Sequence, residues 1–263
     1  LLSETRVHDL FKDSRGNIWV AASDLGLGII DQEGKLYWVS SDQGVQGRVY
    51  SVIEDGQHRF WVTTGEGLFL QRDQKFYQVE KSLFGKNIYL RKLFCRPSGE
   101  PVVVTGYKGF YRLEGEGWVQ YASRDNPLEN NVYAYLEDEQ GQVWVGTLAG
   151  LVVVKDGRFF PADFRGETID HPVYLLLRDN QGRLWIGTNR GVYCWDGKRL
   201  LHFDKSLGLS GDEINRSAGF IDSQGHLWFG TDSGVSRYQP ESDLSPEEIP
   251  PPLVTLEGLE VGH

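Results

Sequence analysis

Apolar residues along this chain fall in short runs of four to six positions, alternate with polar ones, and stop at Gly, Asp or Asn. Residues 132–137 read Val-Tyr-Ala-Tyr-Leu-Glu, 143–147 read Val-Trp-Val-Gly-Thr, and 151–154 read Leu-Val-Val-Val. Runs rich in Val, Tyr, Trp and Thr with regular turn punctuation predict β-strands. Asp156-Gly157 and Asp196-Gly197 add two-residue hairpin signals, because both central positions of a type I′ turn favour positive φ.

The runs repeat. Trp19, Trp61, Val102, Trp144, Trp185 and Trp228 are spaced by 42, 41, 42, 41 and 43 residues. The flanks repeat as well. Asp138-Glu139-Gln140-Gly141-Gln142-Val143-Trp144-Val145-Gly146-Thr147 returns at Asp179–Thr188 and again at Asp222–Thr231. Repeat one keeps Asp13, Gly16 and Trp19, and repeat two keeps Asp55 and Trp61 with His58 in the Gly place. Repeat three keeps Gly99 and Thr105 but has Arg96 for the Asp and Val102 for the Trp. Six such units are visible, each of about 42 residues, and fixed-period self-similarity is the signature of a repeat architecture.

Each unit reads as four strands. In repeat four these are 132–137, 143–147, 151–154, and a fourth beginning near Arg158. One four-stranded unit cannot bury both its faces, whereas radial stacking covers them and leaves short edges. The expected fold is therefore all-β: a β-propeller of four-stranded blades with six repeats visible, either six-bladed or part of a seven-bladed propeller. The large aromatic on the second strand is expected to wedge between adjacent blades.

The pattern D-x-x-G-x-hydrophobic-W-hydrophobic-G-T-x-x-G-hydrophobic is complete at Asp138–Leu151, Asp179–Val192 and Asp222–Val235. It resembles the two-component regulator propeller repeat. That resemblance implies the sensing part of a membrane-anchored bacterial receptor, periplasmic or extracellular, whose output is a histidine kinase, a hybrid two-component regulator or a diguanylate cyclase. It also implies a homodimer in the full receptor. The tail fits the same picture: 1–239 would be the propeller, 240–252 a Pro-rich linker, and 253–263 the opening of an immunoglobulin-like module.

Composition narrows the function. The formal net charge is −10 with scattered basic residues, so a phosphate backbone is repelled and nucleic acid is not expected as a partner. No apolar run is long enough for a membrane-spanning helix, so no membrane insertion is expected within these residues. Cys95 and Cys194 fall in repeats three and five, which would not be neighbours, and no disulfide is expected. Leu1 opens the chain without an initiator Met or a signal peptide, as in a processed or excised piece.

The repeated Asp invites a metal reading, but one per blade spreads them around the ring. Asp at the first turn position instead accepts its own turn's N–H groups, and Gly at the fourth suits the exit geometry. The mid-strand Trp suits core packing better than sugar stacking. Thr147, Thr188 and Thr231 have no accompanying His and read as cross-bonding residues within the sheet. None of the six histidines has metal-ligand spacing, so no metal and no cofactor are expected, although His8 and His171 could sit at a pore mouth.

Specific function should lie where the repeats differ. Two loop classes emerge on one face, and the Asp–Gly turns belong to the other. The approaches to the first strands carry Arg48, Tyr50, Tyr89, Arg91, Asn131, Tyr133, His171, Tyr174, Asn215 and Arg216. The loops between second and third strands carry Asp24, Glu66, Tyr107, Lys108, Asn189, Arg190 and Asp232. A rim of Tyr, Arg and Asn suits a small polar ligand, such as an oligosaccharide or an anion. The competing reading is a solvated rim with no ligand. The leading functional expectation is a non-catalytic sensor module. The alternatives are a propeller enzyme of the streptogramin-lyase kind, needing a clustered His and acid with a metal, or a constitutive scaffold or dimerisation propeller.

Closure is the last expectation. Residues 1–12 already supply a first strand, and repeat six shows no fourth strand before the prolines. The chain is therefore expected to form an open arc, with 253–261 departing along the stiff Pro250-Pro251-Pro252 spacer rather than folding back.

Overall fold

In a computed structural model the described residues are 5–240, apart from 46, 80–82 and 85–87. Six antiparallel sheets follow one another along the chain. Five have four strands in simple sequence order, and the sixth has three: Ile214–Ile221, Leu227–Thr231 and Gly234–Tyr238. The fold is a six-bladed β-propeller. In blade four the strands are Val132–Glu137, Val143–Thr147, Gly150–Lys155 and Arg158–Pro161, close to the expected positions. The linker at 241–252 and the tail at 253–263 lie outside the described residues, and so does the departure expected of 253–261.

The two hairpin signals come out differently. Asp156 and Gly157 both take positive φ, at 49° and 71°, as a type I′ turn requires. At Asp196-Gly197 only the glycine does, so that hairpin is not type I′. Asp73 and Gln74, at 48° and 63°, make a positive-φ pair without any glycine.

First strands line the axis, because their side chains reach blades that are not neighbours. Lys92 of blade three places Nζ 2.8 Å from Asp9 Oδ1 of blade one. Ser51 of blade two donates its hydroxyl to Asp9 Oδ2 at 2.6 Å and accepts the Leu93 N–H at 3.1 Å.

The second-strand aromatic points to the following blade. Trp19 stacks on Phe60 of blade two at 4.2 Å. Trp61 packs among Leu90, Leu93 and Val103 of blade three, and Trp185 against Leu227 and Phe229 of blade six. Trp19, Trp61, Val102 and Trp185 are buried, while Trp144 and Trp228 are half-buried. The Gly two positions on is there because the next first strand comes close. A Cβ at Gly146 would lie 2.9 Å from Val173 O, and one at Gly187 3.0 Å from Ile214 Cγ2.

The turn aspartates have a double task. Asp13 Oδ1 accepts the N–H groups of Arg15 and Asn17, as expected. Its Oδ2 accepts the Trp19 indole N–H at 2.9 Å. The same six-residue link joins Asp55 to Trp61 at 2.7 Å, Asp179 to Trp185 at 2.8 Å and Asp222 to Trp228 at 2.9 Å, and a longer one joins Asp138 to Trp144 at 3.5 Å. Repeat three loses both partners together, Arg96 replacing the donor's acceptor and Val102 the donor. The threonines cross-bond second strand to third, as expected, and each does so at the loop. Thr147 Oγ1 donates to Gly150 O and accepts the Ala149 N–H, and so closes the loop between second and third strands; Thr188 and Thr231 do the same.

These hydrogen bonds give an expected acid response. Burial raises the carboxyls of Asp13, Asp55 and Asp179, but the indole and turn N–H bonds outweigh it and hold them below the ordinary value. At Asp222 the Trp228 indole leads and the value falls to about 2. Each folded value is depressed, so the stabilisation is complete above the unfolded value of 3.8 and lost as pH falls through the folded one. Stability measured by urea unfolding should therefore decline between roughly pH 4 and pH 2, and Asp179→Asn should flatten that decline.

Apolar clusters join the blades at five junctions: one–two, two–three, three–four, four–five and five–six. Among the described residues none spans the sixth and first blades. Leu10 is 63% exposed, whereas Val52, Leu93, Tyr135 and Leu176, at the same place in blades two to five, are buried. Val235 is 66% exposed, whereas Leu27, Leu68, Phe110, Leu151 and Val192 are buried. In this chain Leu10→Ala should change stability by no more than about 0.5 kcal/mol, and Leu93→Ala should cost about 2–5 kcal/mol. Denaturant unfolding of both variants measures the contrast.

Candidate functional site

The first strands carry a feature that the sequence pattern hides. Each slips register once against its second strand, near its start. The extra residue is His8 in blade one, Tyr50 in blade two, Arg91 in blade three, Tyr133 in blade four and Tyr174 in blade five. A β-bulge leaves its residue out of the ladder and re-aims the side chain. In blade six the slip is larger: Ile214 pairs with Thr231 and Gly219 with Phe229, so Asn215, Arg216, Ser217 and Ala218 all stand opposite Gly230.

The re-aimed side chains meet around the axis. His8 lies edge-on to Tyr50 at 5.4 Å, and Tyr50 edge-on to Tyr89 at 4.9 Å. The Arg91 guanidinium lies 5.5 Å from the Tyr89 ring and 3.9 Å over the Tyr133 ring. Tyr133 meets Tyr174 edge-on at 5.0 Å. Arg216 lies 5.0 Å from Tyr133 and 5.9 Å from Tyr174. One side chain after another thus passes from blade one to blade six. Arg91 is anchored further, donating Nη1 to Val132 O at 2.7 Å and Nη2 to Asn131 Oδ1 at 2.9 Å. Burial pushes its guanidinium below the ordinary value. Burial likewise raises the Tyr174 hydroxyl, with the neighbouring Tyr133 and Glu213 adding to it.

Of the expected rim residues, Tyr50, Tyr89, Arg91, Asn131, Tyr133, Tyr174 and Arg216 come together here. Asn215 donates to Thr231 O at 2.7 Å and shapes the last bulge. Arg48 is exposed beside Tyr50, its carbonyl accepting the Gly65 N–H. His171, Asn189 and Arg190 form a neighbouring group: His171 packs near Tyr193 at 5.7 Å, Tyr193 stacks on His202 at 4.3 Å, and His202 bonds Arg190 O at 2.6 Å. Tyr107 is exposed, and among the described residues no ring contact, ion pair or side-chain hydrogen bond joins Tyr107, Lys108 or Asp232 to the axial group. His8, expected near a pore mouth but not among the rim residues, opens the course. Its signal was its place at the start of a first strand, the position Tyr50 occupies 42 residues later.

The residue after each bulge is polar in blades one to three, where Asp9, Ser51 and Lys92 are linked, and is Ala134, Leu175 and Gly219 in blades four to six. Among the described residues no group of three or more His, Cys, Asp or Glu side chains could hold a metal ion. A hollow of about 450 Å³ lies at the outer strands of blades three and four, lined by residues including Arg124, Asp125, Arg158 and Phe160. It contains none of the axial side chains and brings together charges of both signs, so concavity alone does not pick out the mouth. Cys95 and Cys194 are not disulfide-bonded, and among the described residues no helix is long and apolar enough to cross a membrane.

The fold has many solved counterparts. An extracellular domain of a putative hybrid two component system, BT4673 of B. thetaiotaomicron, is 20% identical with a TM-score of 0.61, over 90% of this chain and 38% of that one. PorZ, a surface component of the type-IX secretion system of Porphyromonas gingivalis, is 17% identical with a TM-score of 0.66, over 89% and 38%. Virginiamycin B lyase from Staphylococcus aureus is 11% identical with a TM-score of 0.65, over 89% and 84%. At these identities the likeness is one of fold. The chain spans about two fifths of that extracellular domain. No curated protein matches it. The two component regulator propeller model matches residues 1–24, 126–149 and 169–190, within the first, fourth and fifth repeats. The chain thus carries the two component regulator propeller repeat in its first, fourth and fifth blades, within a fold of six such sheets.

Proposed function

We propose that this chain is a ligand-sensing propeller module of a bacterial signal-transduction receptor, on the periplasmic or extracellular side, with no catalysis of its own. Its binding surface is the axial mouth. The observation that carries this is the unbroken course of side chains from His8 to Arg216, in which every blade contributes through a bulge at the same place. A framework repeat has no packing need for a bulge at this place in every blade. A ligand resting on that course would touch several blades at once and couple their positions, which is what a relay to a following domain requires. Tyrosine faces and guanidinium groups suit a small polar ligand with apolar ring faces, such as an oligosaccharide.

A thermal-shift screen of the chain against oligosaccharides tests this. A binder present at about a hundred times its Kd should raise the unfolding midpoint by several degrees. Tyr50→Ala should abolish that rise. A rise that survives both Tyr50→Ala and Tyr89→Ala places the site elsewhere. Turnover of a streptogramin lactone in the presence of Mg²⁺ would overturn the non-catalytic reading.

A further inference from the structure

Two arginines stand at the mouth without a carboxylate. Among the described residues Arg216 has no ion pair; its partners are the faces of Tyr133 and Tyr174. Arg91 spends two donors on a backbone carbonyl and an amide, and its Nε is buried without a partner. Arg216 is exposed, but Arg91 differs from the other half-buried cations: Arg59 pairs with Asp55, Lys92 with Asp9, Arg96 with Glu137, Arg112 with Glu114, Arg178 with Asp138 and Arg183 with Asp179. In a chain of net charge −10, two guanidinium groups without an ion pair on one tyrosine, against the single charge of Glu213 that acts on neighbouring Tyr174, leave a local excess of positive charge.

The backbone supplies an independent observation. Arg216 sits in the four-residue bulge of blade six, where every other blade uses a single residue. The next residue, Ser217, has φ 57°, a left-handed conformation that disfavours a side chain other than glycine's. Strain of this kind persists where the surroundings impose it and marks positions that aim a functional group. Here it turns Arg216 over the mouth while leaving it exposed to solvent.

We propose that the ligand of the axial mouth is a ring-bearing carboxylate, its carboxylate held by Arg216 in front of the Arg91 charge and its ring laid along Tyr50 and Tyr89. The planar fork of a guanidinium matches a carboxylate with two parallel hydrogen bonds. A dianion such as a phosphate ester is disfavoured, because one accessible guanidinium neutralises one charge and the surface as a whole is acidic. This inference rests on the proposed function, since it names the chemistry of the same mouth.

The test uses the full chain at low ionic strength, with two acids and their neutral counterparts: glucuronate against glucose, and benzoate against benzyl alcohol. Affinities are read by titration calorimetry or ligand-observed NMR. At least one acid should bind about tenfold more tightly than its counterpart, and Arg216→Gln should weaken it about tenfold with the unfolding midpoint unchanged. Arg15→Gln, in a turn at the far end of blade one, should leave the affinity as it was. Which acid binds decides between a sugar acid and an aromatic acid. Equal binding of acid and neutral compound, lost in Tyr50→Ala, keeps the mouth as the site and overturns the carboxylate. Binding of neither class, or binding indifferent to both Arg216→Gln and Tyr50→Ala, overturns the mouth and the carboxylate together.

Discussion

Trp185→Ala is expected to lower the unfolding free energy by about 3–5 kcal/mol, the largest single effect in the molecule. The side chain is 1% exposed and fills the junction of blades five and six. It stacks near Phe203 at 5.7 Å, meets Phe229 at 5.8 Å and Tyr238 at 4.6 Å. Its removal also takes the indole donor from buried Asp179 Oδ2, which keeps the Arg183 Nε–H at 2.6 Å, so the lost hydrogen bond adds to the cavity. Trp228→Ala should cost clearly less, since Trp228 is half-buried and no apolar cluster of described residues lies beyond it. Urea denaturation of both variants measures the difference. Equal losses would show that the aromatic acts within its own blade and not at the junction.

The second large effect is expected from a substitution that restores the repeat. Arg96→Asp brings back the consensus residue of repeat three, yet it should destabilise the chain by about 3 kcal/mol. Arg96 makes a two-pronged bridge to Glu137 of blade four at 2.7 and 2.8 Å. Glu137 also accepts the Tyr135 hydroxyl at 2.7 Å, and the Arg96 bridge and this bond together hold its carboxyl below the ordinary value despite burial. An aspartate at 96 would face Glu137 with like charge in a half-buried site. It would gain no indole in return, because residue 102 is Val. Arg96→Asp combined with Val102→Trp would overpack a site whose valine is fully buried, so it should not rescue the loss. A neutral or stabilising Arg96→Asp, measured by denaturant unfolding, would show that the turn residue matters more than the bridge between blades.

These two expectations mark how far the chain can be read without its fold. The period of the tryptophans, the turn after each first strand and the hairpins were legible because they are local. A glycine, an aspartate or an alternation of Val and Thr constrains its own few residues, and repetition multiplies a weak signal. The link from Asp to Trp six residues on was local too. It went unread because a turn side chain accepting its own backbone already explained the aspartate.

The mouth was legible only in part. Reading the repeats for their differences picked Tyr50, Tyr89, Arg91, Tyr133, Tyr174 and Arg216, since residues that no framework requires stand out against a repeat. It also picked Tyr107, Lys108 and Asp232, which lie outside the group that the fold assembles. A bulge is one residue out of register between two strands, and no residue type encodes it; it is set by what each strand pairs with and by how closely the next blade approaches. The ion pair of Lys92 with Asp9 joins residues 83 positions apart. The arginines on Tyr133 come from blades three and six. Such meetings depend on the angle at which successive blades turn about the axis. That angle comes from packing at five junctions at once, so it belongs to the tertiary structure, whereas the blade itself belongs to the sequence.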